Sequence, residues 1–172
     1  MASGGGPVSI CGAMGKAPPE RYDRYMEAAL AEAGKARSAG DVPIGCVIVK
    51  DARVIAAAHN RRTIDADPTA HAEMLAIRQA AAALGDWRLT GCTLVVTLEP
   101  CCMCAGAIVL ARIPRLVYGA ADPKAGAVHT LYRLCSDPRL NHQVEIISRV
   151  REDLCADILS EFFRARRATG RK

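Results

Sequence analysis

Apolar and polar residues follow two different periods along this chain, and the first patterned segment has the period of a helix. Between Glu20 and Ala39 apolar residues recur every three or four positions, and Gly40 stands where a helix-terminating glycine is expected. The stripe consists of Tyr22, Tyr25, Met26, Ala29, Ala33 and Ala36. This spacing predicts an amphipathic helix that turns one face to a core.

The pattern then changes to short runs rich in β-branched residues. Two such runs, at residues 42–50 and 54–59, are separated by a polar break at residues 51–53, which predicts a β-hairpin. Residues 60–70 are mostly polar and predict a loop. Within it Asp67 and Pro68 match an N-cap residue followed by proline at the first helical position.

Seven further elements complete the predicted order. A helix is expected from Asp67-Pro68 through His71 to Leu84, ending at Gly85. The later pattern predicts a strand at 92–99, a helix at 101–113 that ends before Pro114, a strand at 115–120, a short helix at 131–134, a strand at 143–148, and a last helix at 152–167 with Leu154, Ile158, Leu159 and Phe162 facing inward. No internal repeat is visible.

This order of elements predicts an α/β fold. Helices alternate with strands, so we expect a mixed five-stranded sheet flanked by helices. The first two strands should pair antiparallel, and the later ones, which are joined through helices, should pair parallel. Residues 1–19 are rich in Gly and Pro and predict a disordered tail, which leaves 20–172 as a single domain.

Composition narrows the classes of protein that remain. Of the 172 residues 51% are apolar and 24% charged, as in an ordinary globular protein, while aromatic residues make up only 4%, so aliphatic residues and Ala must fill the core. The net charge of +5 is compatible with an acidic partner such as RNA but does not require one. No apolar run reaches the roughly 18 residues of a membrane span. The N-terminus lacks the features of a signal peptide, so a cytoplasmic location is expected.

Eight cysteines therefore need an explanation other than disulfides, because cytosolic thiols stay reduced. Three of them fall within four positions in Glu99-Pro100-Cys101-Cys102-Met103-Cys104. Cys101 and Cys104 are three apart at a predicted helix start, so they share one face beside the positive end of the helix dipole, which favours thiolates. Cys102 is expected to be a small core residue, and buried, inert thiols are expected at Cys46, Cys92, Cys135 and Cys155.

A histidine and a glutamate supply what two thiolates lack for catalysis at zinc. His71-Ala72-Glu73 also lies at a predicted helix start, and two such strand-to-helix turns on one sheet edge would place His71 beside Cys101 and Cys104. Three protein ligands leave the fourth position of zinc for a water, whose acidity the metal raises. Glu73 is then placed to carry protons.

Other interpretations of these residues remain open at this stage. The Cys-x-x-Cys pair alone could be a redox site, although that leaves His71 and Glu73 unexplained. A structural zinc site would need a fourth protein ligand, for which His129 is available, although we expect a loop residue there. His59 and His142 are expected to be hydrogen-bonding residues and not ligands.

The order His-x-Glu followed by Pro-Cys-x-x-Cys is the signature of zinc nucleobase deaminases. Between about Tyr22 and Arg167 the chain resembles bacterial tRNA-specific adenosine deaminases of the cytidine deaminase-like superfamily. The stretches that carry the resemblance are DVPIGCVIV, HNR, DPTAHAEMLAIRQA, TLEPCCMCAGAI, GAADPKAGA, LNHQVEI and EFFRARR. The first 19 residues and His129 depart from the family pattern.

The resemblance implies a three-layer α-β-α fold and one zinc ion per subunit, held by His71, Cys101 and Cys104, with Glu73 as proton shuttle. It implies a homodimer whose active site is completed across the interface, and an arginine tRNA as partner. The positions that match substrate contacts are Asn60 for the flipped nucleoside, Asp122 for the RNA near it, and Asn141, His142, Phe162, Phe163 and Arg164 around the anticodon loop. For Phe162, core packing is an equally good reading.

The expected reaction is hydrolytic deamination of adenosine to inosine at the wobble position of a tRNA anticodon, by a zinc-activated water with Glu73. The end of the chain agrees with an RNA substrate, since it carries Arg164, Arg166, Arg167, Arg171 and Lys172 and no acidic residue, although a solvated helix end has the same composition. Two rivals remain: a deaminase of guanine, cytosine or deoxycytidylate, and a non-catalytic RNA-binding subunit with structural zinc.

Overall fold

A computed structural model describes residues 19–170 of the chain. It contains four α-helices and five strands, preceded by a 3₁₀ turn at Pro19–Tyr22. In chain order the elements are α1 (Asp23–Ser38), β1 (Gly45–Lys50), β2 (Arg53–His59), α2 (Ala72–Leu84), β3 (Thr93–Leu98), α3 (Cys102–Leu110), β4 (Arg115–Ala120), a 3₁₀ turn (Leu134–Ser136), β5 (Glu145–Ile147) and α4 (Glu152–Ala168). The five strands form one sheet in the order β2-β1-β3-β4-β5.

Helices cover both faces of the sheet. Alternate residues of the central strands point to opposite sides, and nearly all of them are buried, so the strands read as continuous apolar runs. On one side Ile48 and Leu94 pack in a cluster with α2 and α3. On the other side Val47 and Val95 pack in a cluster with α1 and with Cys155 of α4. The protein is therefore a three-layer α-β-α sandwich.

The strand directions confirm the predicted mixed sheet. β1 pairs antiparallel with β2, as expected for the hairpin, and β3-β4 and β4-β5 are parallel. β1 also pairs antiparallel with β3, which joins the hairpin to the parallel half of the sheet. Consequently β2 and β3 run in the same direction on either side of β1, and both end at the same sheet edge.

Three local predictions were wrong. The helix expected at Asp67-Pro68 begins only at Ala72, because the Asp67 carboxylate accepts hydrogen bonds from the backbone N–H and the hydroxyl of Thr69, both at 2.7 Å, and forms a turn instead. The short helix expected at 131–134 is a 3₁₀ turn at Leu134–Ser136. Leu154 of α4 is 49% exposed, since only a narrow stripe of that helix, marked by Cys155 and Phe162, is buried.

The predicted tail at residues 1–19, including Cys11, falls outside the described residues except for Pro19. Among residues 19–170, none of the helices combines the length and the apolar character that a membrane span requires.

Candidate metal centre and substrate cavity

His71, Cys101 and Cys104 come together at the edge where β2 and β3 end. His71 Nδ1 lies 3.7 Å from Cys101 Sγ and 3.6 Å from Cys104 Sγ, and the three candidate ligand atoms all lie within 4.8 Å of one another. His71 is the N-cap residue of α2 and Cys101 the N-cap residue of α3, both with extended backbone. The expectation that two helix starts would bring these side chains together is thus met by the geometry.

The donor set and its dimensions fit zinc. One imidazole nitrogen and two thiol sulfurs are typical zinc ligands, with metal–nitrogen and metal–sulfur bonds of about 2.0 and 2.3 Å. Tetrahedral angles with those bond lengths place nitrogen and sulfur about 3.5 Å apart, which is close to the observed separations of 3.7 and 3.6 Å. Three protein ligands leave one position open, as in catalytic zinc sites and unlike closed structural ones.

The three side chains polarise one another. A hydrogen bond with Cys104 has the largest effect on the Cys101 thiol. Together with a hydrogen bond to His71 it lowers the pKa of that thiol to about 3. The hydrogen bond between Cys101 and Cys104 raises the pKa of the Cys104 thiol. The hydrogen bond between Cys101 and His71 raises the pKa of the His71 imidazole. A thiolate at Cys101 is therefore stabilised at neutral pH, which suits a site for a divalent cation.

Glu73 lies in the first turn of α2, two residues beyond His71, and is 4% exposed. Burial raises the pKa of its carboxyl group. Its side chain lines the same cavity as His71 and Cys101. A buried carboxyl group with a raised pKa can both accept and return a proton, which is the property that a general acid–base catalyst needs.

A cavity of about 840 Å³ opens over these residues. Four of the predicted substrate-contacting residues line it: Asn60, Asp122, Phe163 and Arg164. Asn60 is only 3% exposed and stands at the end of β2, whereas Phe163 and Arg164 belong to α4 and are exposed. The cavity thus joins a buried floor at His71 to an open rim on α4.

Asn141 and His142 lie elsewhere. Asn141 Oδ1 accepts a hydrogen bond from Arg112 at 2.5 Å, and His142 Nε2 donates one to the carbonyl of Ile113 at 2.8 Å. Both contacts tie the segment before β5 to the end of α3, and neither residue lines the cavity. Their predicted contact with RNA therefore has no place in the cavity of a single chain and stays a prediction.

The other described cysteines differ in burial. Cys46, Cys92, Cys135 and Cys155 are buried free thiols, as predicted, but Cys102 is exposed and so is not the core residue that we expected. Cys102 is the first residue of α3, and Cys104, two positions later on a different side of the helix, is buried.

The histidines expected to form hydrogen bonds do so. His59 Nδ1 lies 3.0 Å from a carboxylate oxygen of Glu32, and His142 bonds the backbone as described above. His129 is exposed and its Nδ1 lies 2.8 Å from the hydroxyl of Tyr118. Phe162 is buried and packs edge-on against Phe163, which favours the core reading for Phe162.

Sequence reasoning assigned no role to two buried carboxylates beside the cavity. Glu99, 2% exposed, accepts hydrogen bonds from the backbone N–H groups of Asp122, Val128, His129 and Thr130 at 2.7 to 3.1 Å, and from the Thr130 hydroxyl. Burial raises the pKa of Glu99, but these hydrogen bonds outweigh it and bring the value to about 2. Glu99 thereby fixes the loop that carries Asp122.

The second of these carboxylates is Asp41, which is completely buried next to Asn60. In the sequence Asp41 directly precedes one apolar run, and Glu99 ends another. A charged residue at the end of a predicted buried strand could have indicated that both carboxylates are buried. Basic residues of the cavity wall, Arg62 and Lys124, were also missed. They come from two loops whose approach to each other depends on the fold.

Comparisons with known proteins agree with this geometry. The sequence model of the MafB19-like deaminase family matches residues 20–167. A tRNA-specific adenosine deaminase of Bacillus subtilis (strain 168) is 54% identical over 140 residues, which cover 81% of this chain and 87% of that protein.

Two solved structures extend the comparison to the fold. One, from work on A-to-I editing by tRNA:A34 deaminases at the wobble position of transfer RNA, has a TM-score of 0.77 at 51% identity and covers 79% of this chain and 99% of that chain. A guanine deaminase from Bacillus subtilis has a TM-score of 0.56 at 42% identity and covers 58% of this chain and 64% of that chain. The cytidine deaminase-like fold predicted from the sequence is confirmed. Because the match to tRNA-specific adenosine deaminases extends along most of the sequence with about half of the residues identical, the chain is a deaminase and belongs to that family.

Proposed function

We propose that this protein converts adenosine to inosine at the wobble position of a tRNA anticodon. The observation that carries the proposal is the buried carboxyl group of Glu73 beside the His71, Cys101 and Cys104 cluster, at the bottom of a cavity with basic residues at its rim. Relatives that deaminate tRNA adenosine, one of them at the wobble position, support the choice of substrate. The reaction consumes one water and releases ammonia as the bond from C6 of adenine to its amino nitrogen is replaced by a carbonyl.

Each residue of the site has a distinct part in this reaction. His71, Cys101 and Cys104 would hold zinc, which supplies a water acidified toward neutral pH as the nucleophile. Glu73 would accept a proton from the attacking water and pass it to N1 of the purine. It would then take the second proton from the new hydroxyl group on C6 and give it to the departing amino group, so that ammonia leaves and a carbonyl remains. Its burial suits this role, because bulk water is kept away from the proton that it carries.

The cavity walls supply the contacts for an extruded nucleoside. Asn60 offers an amide to the base edge or the ribose, and Asp122 lies on the opposite loop. At the rim, Arg62, Lys124, Arg164 and Arg167 form a basic border. Guanidinium and ammonium groups so placed would bind the phosphates of an RNA loop whose base is unstacked into the pocket. An arginine tRNA is the partner that the family resemblance favours.

The decisive experiment compares the wild type with Glu73→Gln on an anticodon stem-loop that carries adenosine at the wobble position. We expect inosine from the wild type and a loss of at least about 10²-fold in rate from the variant, because general acid–base catalysis contributes that much. Zinc content should be the same in both proteins. The matched control is Glu161→Gln, since Glu161 is exposed and pairs with Arg37.

An active Glu73→Gln protein would remove the proposed role of Glu73. Guanine, cytosine and deoxycytidylate belong in the same assay, because a guanine deaminase shares the fold. Release of ammonia from one of them, without inosine formation in the stem-loop, would identify the protein as a deaminase of a small substrate. Zinc without any turnover would support the non-catalytic RNA-binding alternative.

We also propose that the protein acts as a homodimer in the cytoplasm. Leu110, Leu131, Tyr132 and Leu140 are 39 to 70% exposed, and they lie on α3 and on the segment that packs against it. Asn141 belongs to the same segment and hydrogen-bonds beyond the end of α3. A dimer through this surface would explain why Asn141 and His142 match family substrate positions yet lie away from their own cavity.

A further inference from the structure

Asp41 is a buried carboxylate that the reaction as described above does not use. It is 0% exposed and lies in the loop between α1, which ends at Ser38, and β1, which begins at Gly45. Its Oδ1 accepts hydrogen bonds from the backbone N–H of Val42 and from Nδ2 of Asn60, both at 2.8 Å. Its Oδ2 accepts one from the backbone N–H of Thr63 at 2.7 Å and a longer one from Ile64 at 3.4 Å.

Among the described residues no side chain of opposite charge forms an ion pair with this carboxylate, and Arg61 attracts it only from a longer distance. Within residues 19–170 no Lys, Arg or His nitrogen lies within 4.0 Å of Asp41. Removing a charge from water is costly unless hydrogen bonds satisfy it, and here amide donors do so. An apolar residue would fill the position without that cost. A carboxylate at this position therefore indicates a specific role, which is to hold the segment from Asn60 to Ile64 by hydrogen bonds.

The contact with Asn60 determines how its amide is oriented. An ionised carboxylate can only accept hydrogen bonds, so the group of Asn60 that faces Asp41 must be the NH₂ and not the carbonyl oxygen. The backbone N–H of Asn60 is held as well, by the carbonyl of Ile44 at 2.9 Å. Asn60 lines the cavity and is 97% buried by its own surroundings. Its amide is thus presented to a ligand in one fixed orientation.

We propose that Asp41 is a positioning residue for substrate recognition, which acts through the side-chain amide of Asn60. This inference rests on the proposed function for the identity of the ligand, a nucleoside of an RNA loop, and on the structure for the geometry. Asp41→Asn keeps the shape of the side chain but replaces one acceptor oxygen by an NH₂ group. The Asn60 amide then loses its single preferred orientation, and its carbonyl oxygen and NH₂ group can exchange places by rotation.

The first test is a double-mutant cycle with Asp41→Asn and Asn60→Ala, read as kcat/KM for inosine formation in the stem-loop. Asp41→Asn alone should lower kcat/KM about tenfold or more, since a hydrogen bond to a charged group is disrupted. In the Asn60→Ala background the same change should have almost no effect, because its target is gone. The same cycle for the Kd of the stem-loop, measured in a Glu73→Ala background, should show the same coupling without turnover.

The matched control is Asp65→Asn, directly after the segment that Asp41 holds. Asp65 is partly exposed and pairs with Arg61 at 2.7 Å, and neither residue lines the cavity. This variant should leave kcat/KM unchanged in both backgrounds. Equal losses from Asp41→Asn with and without Asn60 would show that Asp41 only stabilises the fold, and would overturn the inference.

A second measurement separates this inference from the proposed function. The side-chain amide resonances of Asn60 in NMR spectra of the free protein should show slow hydrogen exchange in the wild type and in Asp65→Asn, and fast exchange in Asp41→Asn. Unchanged exchange in Asp41→Asn would overturn the positioning role whatever the substrate. The wild type could bind no RNA and form no inosine while hydrogen exchange at Asn60 is still slow in the wild type and fast in Asp41→Asn. That result would overturn the proposed function and leave the positioning role of Asp41 intact.

Discussion

Single residues in the short stretch from Cys101 to Cys104 have opposite environments. Cys101 and Cys104 face His71, whereas Cys102 between them is exposed. The difference follows from helix geometry, since residues three apart share a face and adjacent ones do not. The spacing of the thiols, and not their number, therefore selects the candidate ligands.

The first prediction is that Cys101→Ser loses zinc while Cys102→Ser retains it. Serine oxygen is a poor substitute for thiolate at zinc, and two remaining ligands hold the ion weakly. Zinc content after dialysis against a chelator, measured by atomic absorption, checks this. Cys102→Ser is the matched control, since it makes the same chemical change one residue away. Equal zinc content in the two variants would exclude Cys101 as a ligand.

At the scale of elements, the packing of α1 on β1 depends on a residue without a side chain. A Cβ atom at Gly45 would lie 1.9 Å from the carbonyl oxygen of Ala29 and 2.5 Å from the backbone nitrogen of Ala33. Both are backbone atoms of α1, which cannot turn aside as a flexible side chain could. The helix would have to move away from the sheet.

Gly45→Ala is therefore expected to lower the free energy of unfolding by at least about 1–3 kcal/mol, the usual range for overpacking. Gly34→Ala, in the middle of α1 with no atom within 4 Å of the added Cβ, should raise it by about 0.5–1 kcal/mol through helix propensity. Urea denaturation followed by circular dichroism measures both. Similar effects of the two substitutions would contradict the close approach of α1 and β1.

α4 brings its basic residues to the cavity rim, which makes a prediction about salt dependence. Arg164→Ala and Arg167→Ala should each weaken binding of the stem-loop and lower the slope of log K against log salt concentration by about 0.7–0.9, because one phosphate contact is lost. Arg139→Ala is the control, since Arg139 is exposed, pairs with Asp137 and does not line the cavity. An unchanged slope in all three variants would place the RNA elsewhere. Arg171 and Lys172 lie outside the described residues.

The helices and strands also show which features the sequence predicts and which depend on the folded structure. The periods of apolar residues were sufficient for the strands and for α1, α3 and α4, because these are local properties. The start of α2 was missed since Asp67 bonds Thr69 in a turn, a choice between two local structures that capping preferences alone do not decide. The motif predicted His71 beside Cys101, but Asp41 and Glu99 bond partners 19 to 31 residues away, which only the fold reveals.

At the scale of the whole molecule, exposed apolar side chains on α3 and on the segment that packs against it form a candidate contact surface. α3 and the segment around Leu134–Ser136 carry Leu110, Leu131, Tyr132 and Leu140, all partly or largely exposed. Large exposed apolar side chains that lie together mark interaction surfaces in soluble proteins. The Asn141 and His142 segment adjoins this surface, so association through it would carry these two residues toward a second cavity.

Leu110→Asp should therefore convert a dimer into a monomer, because a charge replaces the most exposed apolar side chain of this surface, at 70%. Sedimentation equilibrium would give twice the mass of one chain for the wild type and a single chain for the variant. The control is Leu154→Asp, on α4 across the sheet, where Leu154 is 49% exposed. If the cavity is completed by the partner, the monomeric variant should also lose inosine formation while it keeps its zinc. A variant that stays dimeric would move the interface to another face, and a monomer with full activity would show that one chain is sufficient for the reaction.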